Sequence, residues 1–519
     1  MSQQLISRSA FARLSAAVIG TALLGAGCAP PRQQVSAAGE AGDGQLGRLT
    51  WGWRLPTTWD SAKGIGYDVH VLSLVYSGLT RLGPDGALQP DLAESWTYNG
   101  TGDAVTFHLR PNLTYSDGTP VDAAAVKAGL ERSRDLPGAT SGQSLAIIQD
   151  ITADSATDVT LHLAEVSYQL PLLLAGLIGH LVSPAAIESG AELNIAPVGA
   201  GPFVLAEYVP GSHATLRRNP NHWNAAEILL DELQVVPRPA EAVAYAGLRS
   251  GQYDLAHVDD SQILPLEQSG FSVIGGTCFN VHTIEVNNRH APFDDPRVVE
   301  AFNRAIDREG IIEGPLFGHG EPDWQPFSRG VQGYDPELHR RWDHDPEEAH
   351  RLLAEAGHPD GISVTFHVIG DAGNDTSRKI AEAVQAQVAE AGFDLRLEIA
   401  PPGAGQKAAH SYTLYMYSFS GRESPVQALE VLYSEGGWMN ISQQAPEEFT
   451  TALERVRRTP LESPDYLPHL QAATRAAVSG ASPHAWLVNW NRAHALNDRV
   501  TGFTHCIHTQ RFEGVGVRS

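Results

Sequence analysis

The stretch from Tyr76 to Val121 limits what this chain can fold into more than any other. Val105, Phe107 and Leu109 alternate with Thr106, His108 and Arg110. That period of two marks a strand with one buried face. Pro111 ends it, because proline has no N–H to give to a ladder. Gly83-Pro84-Asp85-Gly86 and Asp117-Gly118 are turn sequences. Asp122 is placed to cap a helix through Ala123 to Leu130, its side chain accepting from a free backbone N–H of the first turn. The spacing predicts strand, turn, strand, turn, helix, and hence an α/β body.

Further along, Ile151–Asp154 and Val159–Leu163 read as a hairpin, and the apolar run Leu170–Leu177 as a buried helix. Pro197 to Phe203 holds Gly199 and Gly201 between prolines, which marks a tight backbone crossing. Asp231–Val236, a helix over Ala240–Gly251 and a strand at Tyr253–Ala256 repeat the β-α-β alternation of an α/β lobe. Asp294 or Asp295 caps a helix with Pro296 in its first turn and Val298, Phe302 and Ile306 as its apolar stripe. Asp345, Pro346 and Glu348 form another helix start, a capping box. Arg378–Gly392 reads as an amphipathic helix and Leu395–Ile399 as the strand after it.

Composition excludes several function classes. With 519 residues the chain holds more than one core, and two or three lobes are expected. A formal charge of -24 argues against a nucleic-acid partner, which needs a basic face. Gly199 and Gly201 lack the Gly-Lys-Ser/Thr of a phosphate cradle. The histidines around His344–His350 lack the HExxH spacing of a zinc helix, and His505-Cys506-Ile507-His508 is incomplete as a metal site, with a surface or disulfide role expected instead. No Gly-x-Ser-x-Gly elbow is present. Neither a cofactor, a metal nor a catalytic set is therefore expected, and the chain reads as a non-enzyme.

Arg8 and Arg13 precede an apolar run from Leu14 to Gly27, the form of an export signal. Residues 29–47 are rich in Pro, Gln, Ser, Ala and Gly and read as a flexible tether. Leu170–Val182 is too short to span a bilayer. With Cys28 consumed by processing, Cys278 and Cys506 remain as a possible disulfide of an exported protein.

The order of words in the opening stretch carries more than its local chemistry. Leu88-x-Pro90-Asp91-Leu92-Ala93-Glu94-Ser95-Trp96, Phe107-x-Leu109-Arg110-Pro111 and Asp117-Gly118-Thr119-Pro120-Val121 resemble the signature region of the extracellular solute-binding proteins of family 5. These are the peptide- and nickel-type binding components of ABC importers. Gly199-Ala200-Gly201-Pro202-Phe203, Arg218-Asn219-Pro220 with Trp223, and Pro292-Phe293-Asp294-Asp295-Pro296-Arg297-Val298 continue the likeness. The resemblance implies a periplasmic-binding-protein-like class II fold with two main lobes, an extra third lobe and a ligand cleft between lobes. The expected division is 1–28 signal peptide with lipobox and 29–47 tether. Lobe I would take 48–84, 200–285 and 486–519, lobe II 85–199, and lobe III 286–485. Gly25-Ala26-Gly27-Cys28 resembles a lipobox, with Gly25 where the pattern prefers Leu, so Cys28 is the expected lipidation site. The expected partners are a peptide or other small-molecule ligand and ABC permease subunits; the chain would act as a monomer, exported and lipid-anchored at the outer face of the cytoplasmic membrane.

A stretch rich in aromatics and charges, Tyr415 to Pro425, followed by Gly436 to Asn440, is the expected ligand contact. In peptide-binding members the equivalent stretch reads roughly Trp-x-x-Asp-Tyr-Pro-Asp-Pro, and its aspartate pairs with the peptide's α-ammonium. Aligned on Pro425, this chain has Gly421 at that place, with Arg422 and Glu423 beside it. Either Glu423 supplies the carboxylate from a shifted loop, or the ligand has no free amine there and Arg422 meets an anion. A surface pair between Arg422 and Glu423 is the structural alternative. Tyr417, Trp438, Asn440 and Trp324 complete the candidate set, the two tryptophans serving either cleft or core. Peptide, nickel chelate, opine and sugar all stay open as ligands, as does a sensor role.

Overall fold

A computed structural model describes residues 47–237, 241–369, 375–400, 411–479 and 482–518. The export signal, Cys28 and the tether lie outside the described residues, apart from Gly47. A ten-stranded sheet runs through the body. Its order is Phe393–Ala400, Ile362–Ile369, Leu414–Phe419, Ser272–Val286, His484–Leu496, Leu255–Val258, Gly47–Trp53, Leu230–Pro237, His213–Arg218 and Phe203–Val209. Gly47–Trp53 pairs in parallel with both of its neighbours. Leu49, Trp51 and Trp53, which share one face of it, are all buried.

Two strands in the middle, Ser272–Val286 and His484–Leu496, pair antiparallel and carry the sheet from one half to the other. Their ladder breaks midway: Thr277 pairs with Asn491 and Val281 with Asn489, so Cys278, Phe279 and Asn280 stand opposite Trp490 alone. A bulge of this kind bends the strand and re-aims its side chains. Here it falls where the sheet passes beneath a cavity.

Separate cores sit along the sheet. Leu49, Trp51, Trp59, Leu233 and Val235 form one under the N-terminal strands, while Phe293, Phe302, Phe366, Ile380 and Phe393 form another at the far end. A second sheet, in the order Ala93–Tyr98, Ala104–Leu109, Asp158–Leu163, Ile148–Ala153, packs Val105, Phe107, Val159 and Leu161 against the helix Ala123–Asp135. The helices Pro425–Tyr433, Glu447–Arg457 and Tyr466–Val478 enclose a further core with Leu429, Phe449 and Leu470.

Local chemistry sets several element starts as expected. Asp122 accepts from the Ala125 N–H at 2.9 Å, Asp295 caps Pro296–Arg304, and Asp345 accepts from the Glu348 N–H at 2.9 Å to start Pro346–Glu355. The glycine crossing is tight: a Cβ on Gly199 would lie 2.3 Å from the Val75 carbonyl oxygen, and one on Gly201 2.4 Å from the Val75 carbonyl carbon. The run at Leu170 departs from expectation. The helix covers Leu170–Leu173 only, and a single 3-10 turn follows at Leu177–Gly179. Gly176 takes φ -138° and ψ -149°, outside the helical region, and Gly179 packs so near Leu174 that a Cβ there would lie 2.0 Å from its carbonyl oxygen. The chain doubles back at the glycines, which an apolar run alone does not reveal.

The expected disulfide is absent. Cys278 and Cys506 are buried free thiols, each taken up locally: Cys278 donates to the Trp490 carbonyl at 3.1 Å, and Cys506 points at the Thr504 carbonyl at 3.8 Å. The buried Arg492 guanidinium holds the Cys506 and His508 carbonyls, fixing the C-terminal loop without a covalent link.

Candidate functional site

Above the bulge lies a cavity of about 1530 Å³. One wall comes from Gln143–Leu173 beside the four-stranded sheet, another from Tyr417–Gln427 and the helix that Ser424 caps, and the floor from Trp53, His257, His282 and Trp490. Polar contacts close the two walls on each other. Gln427 donates to the Ser144 hydroxyl at 2.8 Å, and Arg457 bridges Glu165 at 3.1 Å and Glu430 at 2.6 Å. The Tyr168 N–H also donates to the Arg457 carbonyl at 3.0 Å.

Of the residues singled out from sequence, Tyr417, Arg422, Glu423 and Trp438 line this cavity. Arg422 stacks over Trp438 at 5.3 Å and over Phe419 at 5.6 Å, and donates to the Ser420 hydroxyl and the Gly421 carbonyl. Burial lowers its pKa, opposed by Tyr417 and Glu423. Arg422 and Glu423 do not form an ion pair with each other: the Glu423 carboxylate instead turns over Gly176, where a Cβ would fall 1.7 Å from Oε1. Its ion-pair-range neighbour among the described residues is the His508 Nε2, 3.9 Å away. Burial holds that imidazole below its ordinary pKa, so it offers little positive charge at neutral pH.

The other two candidates serve elsewhere. Asn440 is fully buried and donates to the Ser434 and Gln444 carbonyls at 2.9 Å each, which folds the loop after the helix. Trp324 is core: its indole N–H donates to the Trp342 carbonyl at 3.1 Å and its ring lies under Arg308. Both choices rested on residue type, and neither side chain reaches the cavity.

Sequence reasoning did not find Arg54, Tyr67, Gln169, His282, Trp490 or His508. Arg54 stands at the end of the first strand with its guanidinium 4.9 Å from the Tyr67 ring, and no carboxylate among the described residues pairs with it. The Tyr67 hydroxyl accepts from Asn280 at 3.0 Å, and burial pushes its pKa up to about 12. His282 lies on the strand opposite Ser418, and burial lowers its pKa to about 4. The tetrapeptide His505–His508 is not a strand: His505 meets the Thr277 carbonyl at 2.9 Å, and His508 enters the cavity wall.

Among the described residues, no group of three or more His, Cys, Asp or Glu side chains is placed to hold a metal, and no helix is long and apolar enough to cross a membrane. The site offers charged side chains and aromatic faces around a large space. This is the construction of a protein that engulfs a small molecule in a cleft.

Comparison with known proteins supplies the family. The family model of the bacterial extracellular solute-binding proteins, family 5 (Middle), matches residues 87–440, and the chain belongs to that family. Its members are solute-binding proteins, not enzymes. The chain is 29% identical over 345 residues to the glutathione-binding protein GsiB of Escherichia coli, covering 64% of this chain and 65% of that protein. It is 27% identical over 401 residues to the Salmonella paratyphi A protein of the same name, covering 73% of this chain and 74% of the other. Among solved structures, AgaA of A. tumefaciens in complex with agropinic acid superposes with a TM-score of 0.78 at 25% identity, covering 91% of this chain and 99% of that one. DppA of Helicobacter pylori, in complex with a peptide, gives a TM-score of 0.79 at 20% identity, with 91% and 98% covered. The periplasmic-binding fold expected from sequence is the fold observed.

Proposed function

We propose that the chain captures a peptide-like solute bearing a free ammonium and at least one carboxylate, and delivers it to an ABC permease. The observation that carries this reading is Glu423, a buried carboxylate on the cavity wall whose ion-pair-range neighbour is an imidazole kept neutral by burial. A buried carboxylate on a cavity wall is a site that a ligand cation can pair with. A ligand ammonium is such a cation. Arg54 and Arg422 face the same space without an ion pair among the described residues, and they suit the carboxylate end. Glutathione, for which the Escherichia coli relative is named, carries one ammonium and two carboxylates and matches this pattern of charges.

A second reading has one specific support. Gly421, at the place of the amine-pairing aspartate, cannot carry a side chain in this backbone, and the 25% identical AgaA was solved with agropinic acid. An opine-like anion without a free amine would use Arg422 and ignore Glu423. The protein works outside the membrane, carried there by the signal at residues 1–28 and held by a lipid on Cys28, acting as a monomer.

Titration calorimetry with glutathione and trialanine, each with a free and an acetylated amine, separates the two readings. Acetylation, or Glu423→Gln, is expected to weaken binding by about 30-fold or more, the scale of a desolvated charge pair left with one partner. Equal binding of the acetylated ligand would transfer the reading to the opine-like anion.

A further inference from the structure

Two glycines bear on the Glu423 carboxylate, and they act in opposite ways. At Gly421 the left-handed backbone and the neighbouring Phe279 shut out any side chain. At Gly176, on the facing wall, a Cβ would fall 1.7 Å from Glu423 Oε1, 2.4 Å from its Cδ and 3.0 Å from its Cγ, and these are the three nearest atoms. The missing Cβ is the room in which the carboxylate lies. Gly176 is buried between Leu173 and Leu177, which line the cavity as Glu423 does. Both sides of this contact are held from behind. The Gly176 carbonyl accepts from the Gly179 N–H at 3.0 Å. Ser424, the residue after Glu423, accepts from the Gln427 N–H at 3.2 Å as a helix cap and donates its hydroxyl to Gln169 Oε1 on the facing wall at 3.2 Å.

We propose that Gly176 is a positioning residue for ammonium capture, its missing side chain forming the seat of the Glu423 carboxylate that reaches across from the opposite wall. The proposal rests on the ammonium reading of Glu423. A charge-assisted hydrogen bond needs its acceptor within a few tenths of an ångström of its place, so a carboxylate turned out of the seat loses the cation aimed at it. A methyl group at position 176 meets only the far end of the Glu423 side chain, and the Gly176 φ of -138° carries no left-handed strain. Gly176→Ala is therefore accommodated by rotation of Glu423, with the charge kept and its place lost. Because seat and carboxylate stand on facing walls, the ammonium site is complete only while the walls are together. A ligand amine then slows release more than it speeds entry.

Calorimetry and stopped-flow release on the intact chain test this with trialanine and N-acetyl-trialanine. The unaltered protein is expected to prefer the free amine by about 30-fold. In Gly176→Ala that preference should fall to about threefold or less through faster release of trialanine, while affinity for the acetylated peptide stays within about twofold. Glu423→Asp keeps the charge but withdraws it from the seat by one methylene. The same loss of preference is expected there, which decides the matter where Gly176→Ala fails to fold. Full preference for the free amine in either variant would overturn the positioning role while leaving the ammonium reading standing. Equal weakening of both peptides in Gly176→Ala would make the glycine merely structural and overturn it too. No preference in the unaltered protein would overturn both readings.

Discussion

At the scale of single residues, the cleft turns on one glycine and its neighbours. Gly421 takes φ +66°, and a Cβ there would lie 2.3 Å from the Phe279 Cβ. The family resemblance puts Gly421 where peptide-binding members are expected to carry an aspartate, and in this backbone a side chain there would meet Phe279. Gly421→Ala is expected to destabilise the protein by about 1–3 kcal/mol through the left-handed backbone and the contact with Phe279. Chemical denaturation checks this, and an unchanged midpoint would show that the loop relaxes freely. Arg422, Glu423, Tyr417 and Trp438 were legible because charges and aromatics interrupt an otherwise core-like stretch. Trp324 and Asn440 were chosen by residue type, and burial directed one to the core and the other to its own loop. Gln169 and Trp490 could not be placed from sequence: only the meeting of the two walls and the bulge at Cys278–Asn280, opposite Trp490, bring them to the cavity.

At the scale of elements, what local chemistry decides was readable and what tertiary contact decides was not. The caps at Asp122, Asp295 and Asp345 need only a side chain and a neighbouring N–H. The run at Leu170–Leu177 has helical composition, yet it breaks because Gly176 and Gly179 let the chain fold back on Leu174 and leave room for Glu423. The cysteines illustrate the same limit, since two residues 278 and 506 positions along the chain give no geometry until the strands are laid down. Arg457 is the element-level latch, joining the helix that ends with it to Glu165 on the opposite wall and to Glu430 on its own side. These pairs are partly exposed, so each is worth little in stability, on the order of 1 kcal/mol or less. Arg457→Ala should raise the ligand dissociation rate by about fivefold with a small change in Tm. Stopped-flow release checks it; an unchanged rate alongside a large fall in Tm would make Arg457 purely structural.

At the scale of the whole molecule, one sheet joins the two halves, and Ser272–Val286 and His484–Leu496 are the strands that cross between them. His282 and His484 lie on these strands, and His180 follows the turn Leu177–Gly179; all three are buried. Burial lowers the pKa of His180 to about 3 and those of His282 and His484 to about 4. These groups are neutral in the folded chain, but in the unfolded chain they take up protons near pH 6.5. Their contribution is fully present above pH 6.5 and is lost as pH falls from 6.5 towards about 4. Asp323, raised to about 7 by burial, acts in the opposite sense, its contribution fading as pH rises from about 4 to about 7. With three groups against one, Tm is expected to fall between pH 6.5 and 4.5, readable by scanning calorimetry at several pH values. A Tm that holds level or rises would contradict the burial of these imidazoles.

The most direct measurement is native mass spectrometry of the chain expressed without residues 1–28 and purified without stripping, followed by denaturation to identify what is released. The expected result is a bound small molecule with a primary amine, a carboxylate and at least one amide, missing from the Glu423→Gln variant. Release of an uncharged sugar, a metal chelate or an anion without an amine, retained equally by Glu423→Gln, would contradict capture of a peptide-like solute.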